Sequence, residues 1–143
     1  MNTQKISQNQ LIDFKVSLKL KLAVLWAIFM FFYIYVDYFH LYMPNKIEGI
    51  LKGKVFVFDI TQEFLLVALI SVTIPALMIF FSVTLPAKIN RQTNIIISTI
   101  YIPYSLFNLA GEAWIHMIFG AFIEVVILLL IIRYAWKWPR MKT

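Results

Sequence analysis

Four stretches of the chain run nearly uncharged for the length of a bilayer crossing: about Leu22–Met43, Phe64–Leu85, Ile95–Leu109 and Ala113–Tyr134. A helix rises about 1.5 Å per residue and a hydrocarbon core is about 30 Å thick, so roughly 20 apolar residues cross it. With flanking residues the spans read 22–43, 62–85, 94–111 and 113–134, and 44–61 becomes an external loop. Within lipid only helices and closed barrels satisfy their own backbone, and blocks this long and continuous are helical. The chain therefore reads as all-α, an integral membrane four-helix up-down bundle in a single transmembrane domain over 1–143. The first span is too long for a secretory signal, ends without a small-x-small cleavage pattern and is followed by more spans, so it is expected to be retained.

Composition agrees, with 62% hydrophobic and only 14% charged residues, against about a quarter charged in soluble domains. The net charge of +6 could suggest nucleic acid, but the basic residues stand beside the apolar blocks, where they mark the cytoplasmic edge of a membrane. Lys5, Lys15, Lys19 and Lys21 precede the first span. Lys88 and Arg91 sit between the second and third, and Arg133, Lys137, Arg140 and Lys142 end the fourth. The opposite side has only Lys46, Lys52 and Lys54. Both termini are thus expected in the cytoplasm, and the expected location is the cell membrane, multi-pass, as in a bacterial inner membrane. Tyr42 and Trp114 at one edge, and Tyr134, Trp136 and Trp138 at the other, match interfacial belts. Trp26 falls near the inner end of the first span.

Local signals refine the layout. The N-terminal "FKVSLKLKL" is expected to be helical at the cytoplasmic surface, with snorkelling lysines. Val55–Phe58 is β-prone, so the external loop is expected to hold a short strand or an interfacial helix. Asp59 and Gln62 resemble a capping box opening the second span. Pro75 and Pro103 lie mid-span, where neighbours must satisfy the carbonyl each one frees.

Polar residues inside the spans are few, and their spacing is helical. Glu112, His116, Gly120 and Glu124 recur every four residues on the fourth span, with Glu124 near mid-bilayer. A charge there costs at least about 2.5–3.5 kcal/mol, so Glu124 is expected to face the bundle interior, protonated or paired. Tyr33, Asp37 and His40 share a face of the first span. Asn94, Ser98, Tyr101, Ser105 and Asn108 form a polar heptad seam on the third. Tyr33, Asp37, His40, Glu63, Asn108, Glu112 and His116 are expected to converge on a polar pocket in the outer half of the bundle, with Glu124 beneath it.

Plainer roles compete with that pocket. Glu63 and Glu112 stand in first turns, where the helix dipole favours a carboxylate. His40 and His116 would be interfacial side chains with a wet tip. The Ser/Asn seam would be interhelical glue, and Glu124 could serve a buried structural bond. There is no HExxH pair, Gly-x-Ser-x-Gly elbow or phosphate-binding glycine loop, and no cysteine. No catalytic residue, metal or cofactor is assigned.

The segments "YIYVDYF", "IPALMIFFSVTLP" and "NRQTNI" resemble a family of small bacterial four-helix membrane proteins of unknown function. The matching positions include Tyr35, Asp37, Pro75, Met78, Ser82, Asn90, Arg91, Asn94 and Ile95. The layout is also similar to that of the DoxX-like group. The resemblance implies a fold and no activity. It draws attention to Asn90 and Arg91, placed just before Asn94 opens the third helix, as a helix cap and a contact for lipid phosphate. A topology-setting charge with a helix cap is the preferred explanation of both.

Three functions fit. The first is binding or translocation of a small or lipid-like ligand, or of protons, through the polar pocket. The second is an accessory subunit packing through its bundle or its Gly120–Ala121 patch, and the third an intramembrane enzyme with a Glu/His pair. Expected partners are the lipid bilayer and a second copy or another membrane protein, with no nucleic acid.

Overall fold

The computed structural model describes residues 14–110 and 113–139. In chain order they form α1 (Leu18–His40), α2 (Lys46–Leu51), β1 (Lys54–Val55), β2 (Phe58–Asp59), α3 (Gln62–Thr84), α4 (Ala87–Phe107) and α5 (Ile115–Trp136). The fold is all-helical apart from the hairpin, in which Lys54 pairs with Asp59 and Val55 with Phe58. The external loop thus holds both a short helix and a strand pair.

Helices α1, α3 and α5 are each long and apolar enough to cross a membrane. Helix α4, at 21 residues, is nearly as long, but Lys88, Asn90, Arg91, Gln92 and Asn94 crowd its first two turns. Its interior face is polar: Asn90, Asn94, Ser98, Tyr101 and Ser105 are all buried. The outer surface is the reverse. Leu65, Leu66, Val67, Leu69 and Ile70 of α3 are each more than half exposed, an apolar coat that suits lipid and would be costly in water.

Three boundaries differ from the sequence expectation. Phe14–Ser17 is not helical; Ser17 caps α1 by accepting from the Leu20 N–H at 3.3 Å. Thr61 caps α3 by accepting from the Phe64 N–H at 3.1 Å, because the hairpin takes Asp59 as a strand residue facing Lys54. Helix α4 starts at Ala87, directly after Pro86. Proline stops α3 and starts the next helix with a preset φ. Asn94 therefore lies two turns inside α4, and neither Asn90 nor Arg91 caps its start.

Helix α1 is central. It packs broadly on α3 and α5, α4 packs on α5, and α3 touches α4 only lightly. Lys21 of α1 lies over the Tyr134 ring of α5, while Val36 of α1 crowds Gly120 of α5. These two contacts make α1 and α5 antiparallel. A Cβ at Gly120 would collide with the Val36 side chain, so glycine is required for this approach. The core between the helices is Leu22, Trp26, Phe29, Tyr33, Met78, Tyr101, Ile127, Leu128 and Ile131.

Candidate functional site

Two polar regions occupy the interior. The first lies at the end where the basic residues collect. Trp26 Nε1–H donates to Asn94 Oδ1 at 2.7 Å, and Ser82 Oγ donates to the same oxygen at 3.3 Å. Asn94 Nδ2 donates to both oxygens of Asn90, the backbone carbonyl at 2.9 Å and Oδ1 at 2.7 Å. Asn90 Nδ2 reaches back to the Ser82 carbonyl at 2.7 Å. Lys19 Nζ donates to the Val83 and Leu85 carbonyls at 3.2 and 2.8 Å. The last carbonyls of α3, which have no helical partner, are thus held by Asn90 and Lys19. Arg91 lies 5.6 Å from the Trp136 ring centroid, a cation–π contact. Asn90 does cap a helix, but it is the end of α3.

The second region is a cavity of about 610 Å³ at the opposite end. Tyr33, Asp37 and His40 of α1, Phe64, Ser71 and Val72 of α3, Tyr104 of α4 and its C-cap Asn108 form its walls. The segment from Pro44 to Phe56, with Lys46, Ile50 and Lys54, roofs it. Its position follows from packing: α3 and α4 meet lightly, and the gap between them is left for solvent or ligand.

The cavity floor is a hydrogen-bonded junction. Tyr33 Oη and Tyr104 Oη are 3.0 Å apart, and Tyr104 Oη donates to Ser71 Oγ at 3.1 Å. Tyr101 Oη donates to the Ser71 carbonyl. That carbonyl is four residues before Pro75, whose missing N–H would otherwise leave it unpaired. Beneath the floor, Phe29 stands edge-on to Tyr101, with ring centroids 5.9 Å apart. Aromatic packing closes the cavity on its inner side.

Four expected site residues meet here: Tyr33, Asp37, His40 and Asn108. Asp37 is exposed on the wall and makes no ion pair among the described residues. Glu63 lies in the first turn of α3, exposed and outside the cavity lining. His116 is half-buried against Trp114, and its Nε2 has no hydrogen-bond partner among the described residues. Glu112 lies outside the described residues. Glu124 is only 2% exposed and neighbours Ser105, with Asp37 in electrostatic reach; it does not line the cavity. No three His, Asp or Glu side chains among the described residues gather as a metal site would require.

Ser71, Tyr104 and the roof were not expected from the sequence. Ser71 carries one signal, its place four residues before Pro75. Tyr104 carries none, since it sits beside the polar seam rather than on it.

A model described as a family of unknown function (DUF6326) matches residues 10–143. The chain belongs to this family. No curated protein and no solved structure matches it. Membership in DUF6326 assigns no chemistry to the cavity, so any function must be argued from the site itself.

Proposed function

We propose that this DUF6326 chain is a multi-pass protein of the cell membrane, a four-helix up-down bundle with both termini in the cytoplasm, whose outer cavity binds a small amphiphile bearing a basic amine. The topology is supported by the gathering of Lys19, Lys21 and Arg91 at one end, against Tyr134 and Trp136. Basic residues at that density mark the cytoplasmic face. Helix α4 then crosses as the fourth span, its polar seam turned inward and sheltered from lipid.

One observation carries the ligand reading: Asp37 stands exposed on the wall of a cavity lined largely by aromatic and apolar side chains, and it makes no ion pair among the described residues. Lys54 belongs to the roof and lies 3.5 Å from Asp59. Tyr33, Phe64, Val72 and Tyr104 supply apolar and aromatic area for the ligand body. A few placed polar groups in an otherwise apolar concavity is the usual make-up of a ligand site.

The test compares phenethylamine with phenethyl alcohol, its uncharged match, on purified protein in nanodiscs. The amine is expected to raise the unfolding temperature by about 4 °C or more near saturation. The alcohol should do little, and Asp37→Asn should remove the difference. Equal effects of amine and alcohol, or an unchanged response in Asp37→Asn, would sink the reading. The accessory-subunit alternative loses its small-residue patch, since Gly120 and Ala121 are buried and Gly120 abuts α1 within the chain.

A further inference from the structure

We infer that a groove between the start of α1 and the end of α5 holds an anionic phospholipid by its headgroup phosphate. The groove encloses about 300 Å³, at the lower end of the range for small-ligand pockets. Lys15, Ser17 and Lys21 line it from one side, and Tyr134 and Pro139 from the other. It lies at the basic end of the molecule, away from the cavity that Asp37 borders.

The two lysines in this groove have no acid to meet. Lys15 makes no ion pair among the described residues, and Lys21 Nζ rests 5.7 Å from the Tyr134 ring centroid. Lys19 differs, because it donates to the Val83 and Leu85 carbonyls and is absent from the lining. Arg91, over the Trp136 ring, is absent from it too. No aspartate or glutamate occurs in residues 14–36, 64–111 or 125–143. The helix ends that gather here therefore supply no carboxylate, and Asp13 lies outside the described residues. Two cations facing one concavity call for an anion from outside the chain.

The surroundings select a lipid over a free anion. Val24 and Ile28 follow Lys21 by three and seven residues, so they share its face of α1, and both are exposed. On α5, Leu130 stands one turn outward from Tyr134 and is half-buried. An acyl chain can follow this apolar strip while its phosphate stays beside the ammonium groups. Lysines at a membrane surface attract anionic lipid, and tyrosine rings settle at headgroup level.

The test takes the full chain, delipidated in detergent micelles, and follows lipid binding by native mass spectrometry. Phosphatidylglycerol is compared with phosphatidylcholine of the same acyl chains. A single phosphatidylglycerol per chain is expected, held about tenfold more tightly than phosphatidylcholine, with Lys15→Gln and Lys21→Gln each weakening it about fivefold. Lys137→Gln, at the same end but outside the groove lining, should leave it unchanged. Equal affinity for the two lipids overturns the proposal. So do equal losses from all three variants, which reduce the effect to diffuse surface charge. Displacement of the lipid by an equal concentration of glycerol phosphate also overturns it, since the site would then serve a free anion. If Lys21→Gln does not fold, Lys15→Gln decides alone, and unchanged affinity there sinks the idea. The groove shares no residue with the outer cavity, so phenethylamine stabilisation in Lys15→Gln should match that of the unsubstituted protein.

Discussion

At the basic end of the molecule, Trp26, Ser82, Asn90 and Asn94 are buried together, and each one donates to a named acceptor. Further along α4 the Ser98 hydroxyl is buried with no hydrogen-bond partner among the described residues, and Asp37 of α1 makes no ion pair among them. The difference is closure. Where Pro86 turns the chain sharply, α3 and α4 are pinned, and those first four side chains bond to one another or to backbone carbonyls. Towards the opposite end α3 and α4 meet only lightly, and Asp37 and Asn108 border a cavity instead. A satisfied network fastens helices, whereas an unsatisfied one leaves capacity for a ligand.

Substitutions can break or sharpen this contrast. The largest loss is expected from Asn94→Ala, which orphans the buried Trp26 indole N–H and the Ser82 hydroxyl; about 2–3 kcal/mol should disappear in reversible unfolding in micelles. Gly120→Ala should cost about 2 kcal/mol by the same measurement, since the added methyl meets the stiff Val36 side chain. Tyr101→Phe strips the Ser71 carbonyl of its donor and should cost about 1–2 kcal/mol. Pro75→Ala in that background restores a backbone N–H and should recover part of the loss. Smallest of all, Ser98→Ala deletes a hydroxyl that has no hydrogen-bond partner among the described residues, and stability should move by less than about 0.5 kcal/mol. If Ser98→Ala instead costs as much as Asn94→Ala, the two regions are alike and the contrast fails.

Much of the architecture was legible from residue order alone. Apolar runs and basic flanks locate the long helices, because bilayer thickness and backbone satisfaction leave so few alternatives. The seam of Asn94, Ser98, Tyr101, Ser105 and Asn108 was readable as an inward face from its spacing. Boundaries were less legible where two signals competed. Asp59 looked like a cap and serves a strand, and Asn90 looked like a cap for α4 and secures the end of α3. Trp26 could be placed only near the inner end of its span; that it is fully buried follows from its partner Asn94, 68 residues away, which local spacing cannot reveal.

For the candidate site, the sequence by itself determined that Asp37, His40, His116 and Glu124 are polar groups on apolar helices and that Tyr33 shares a face with Asp37. Helical periodicity and the cost of burying charge suffice for that. Only the tertiary structure decided which of them meet. It brought Tyr33, Asp37, His40 and Asn108 to one cavity, left Glu63 on the surface and buried Glu124 outside that cavity. The reason is geometric: periodicity specifies the direction of a side chain about its own helix, while the partner it faces depends on how closely neighbouring helices pack. Here that spacing is set by a proline turn at one end and a glycine contact between α1 and α5.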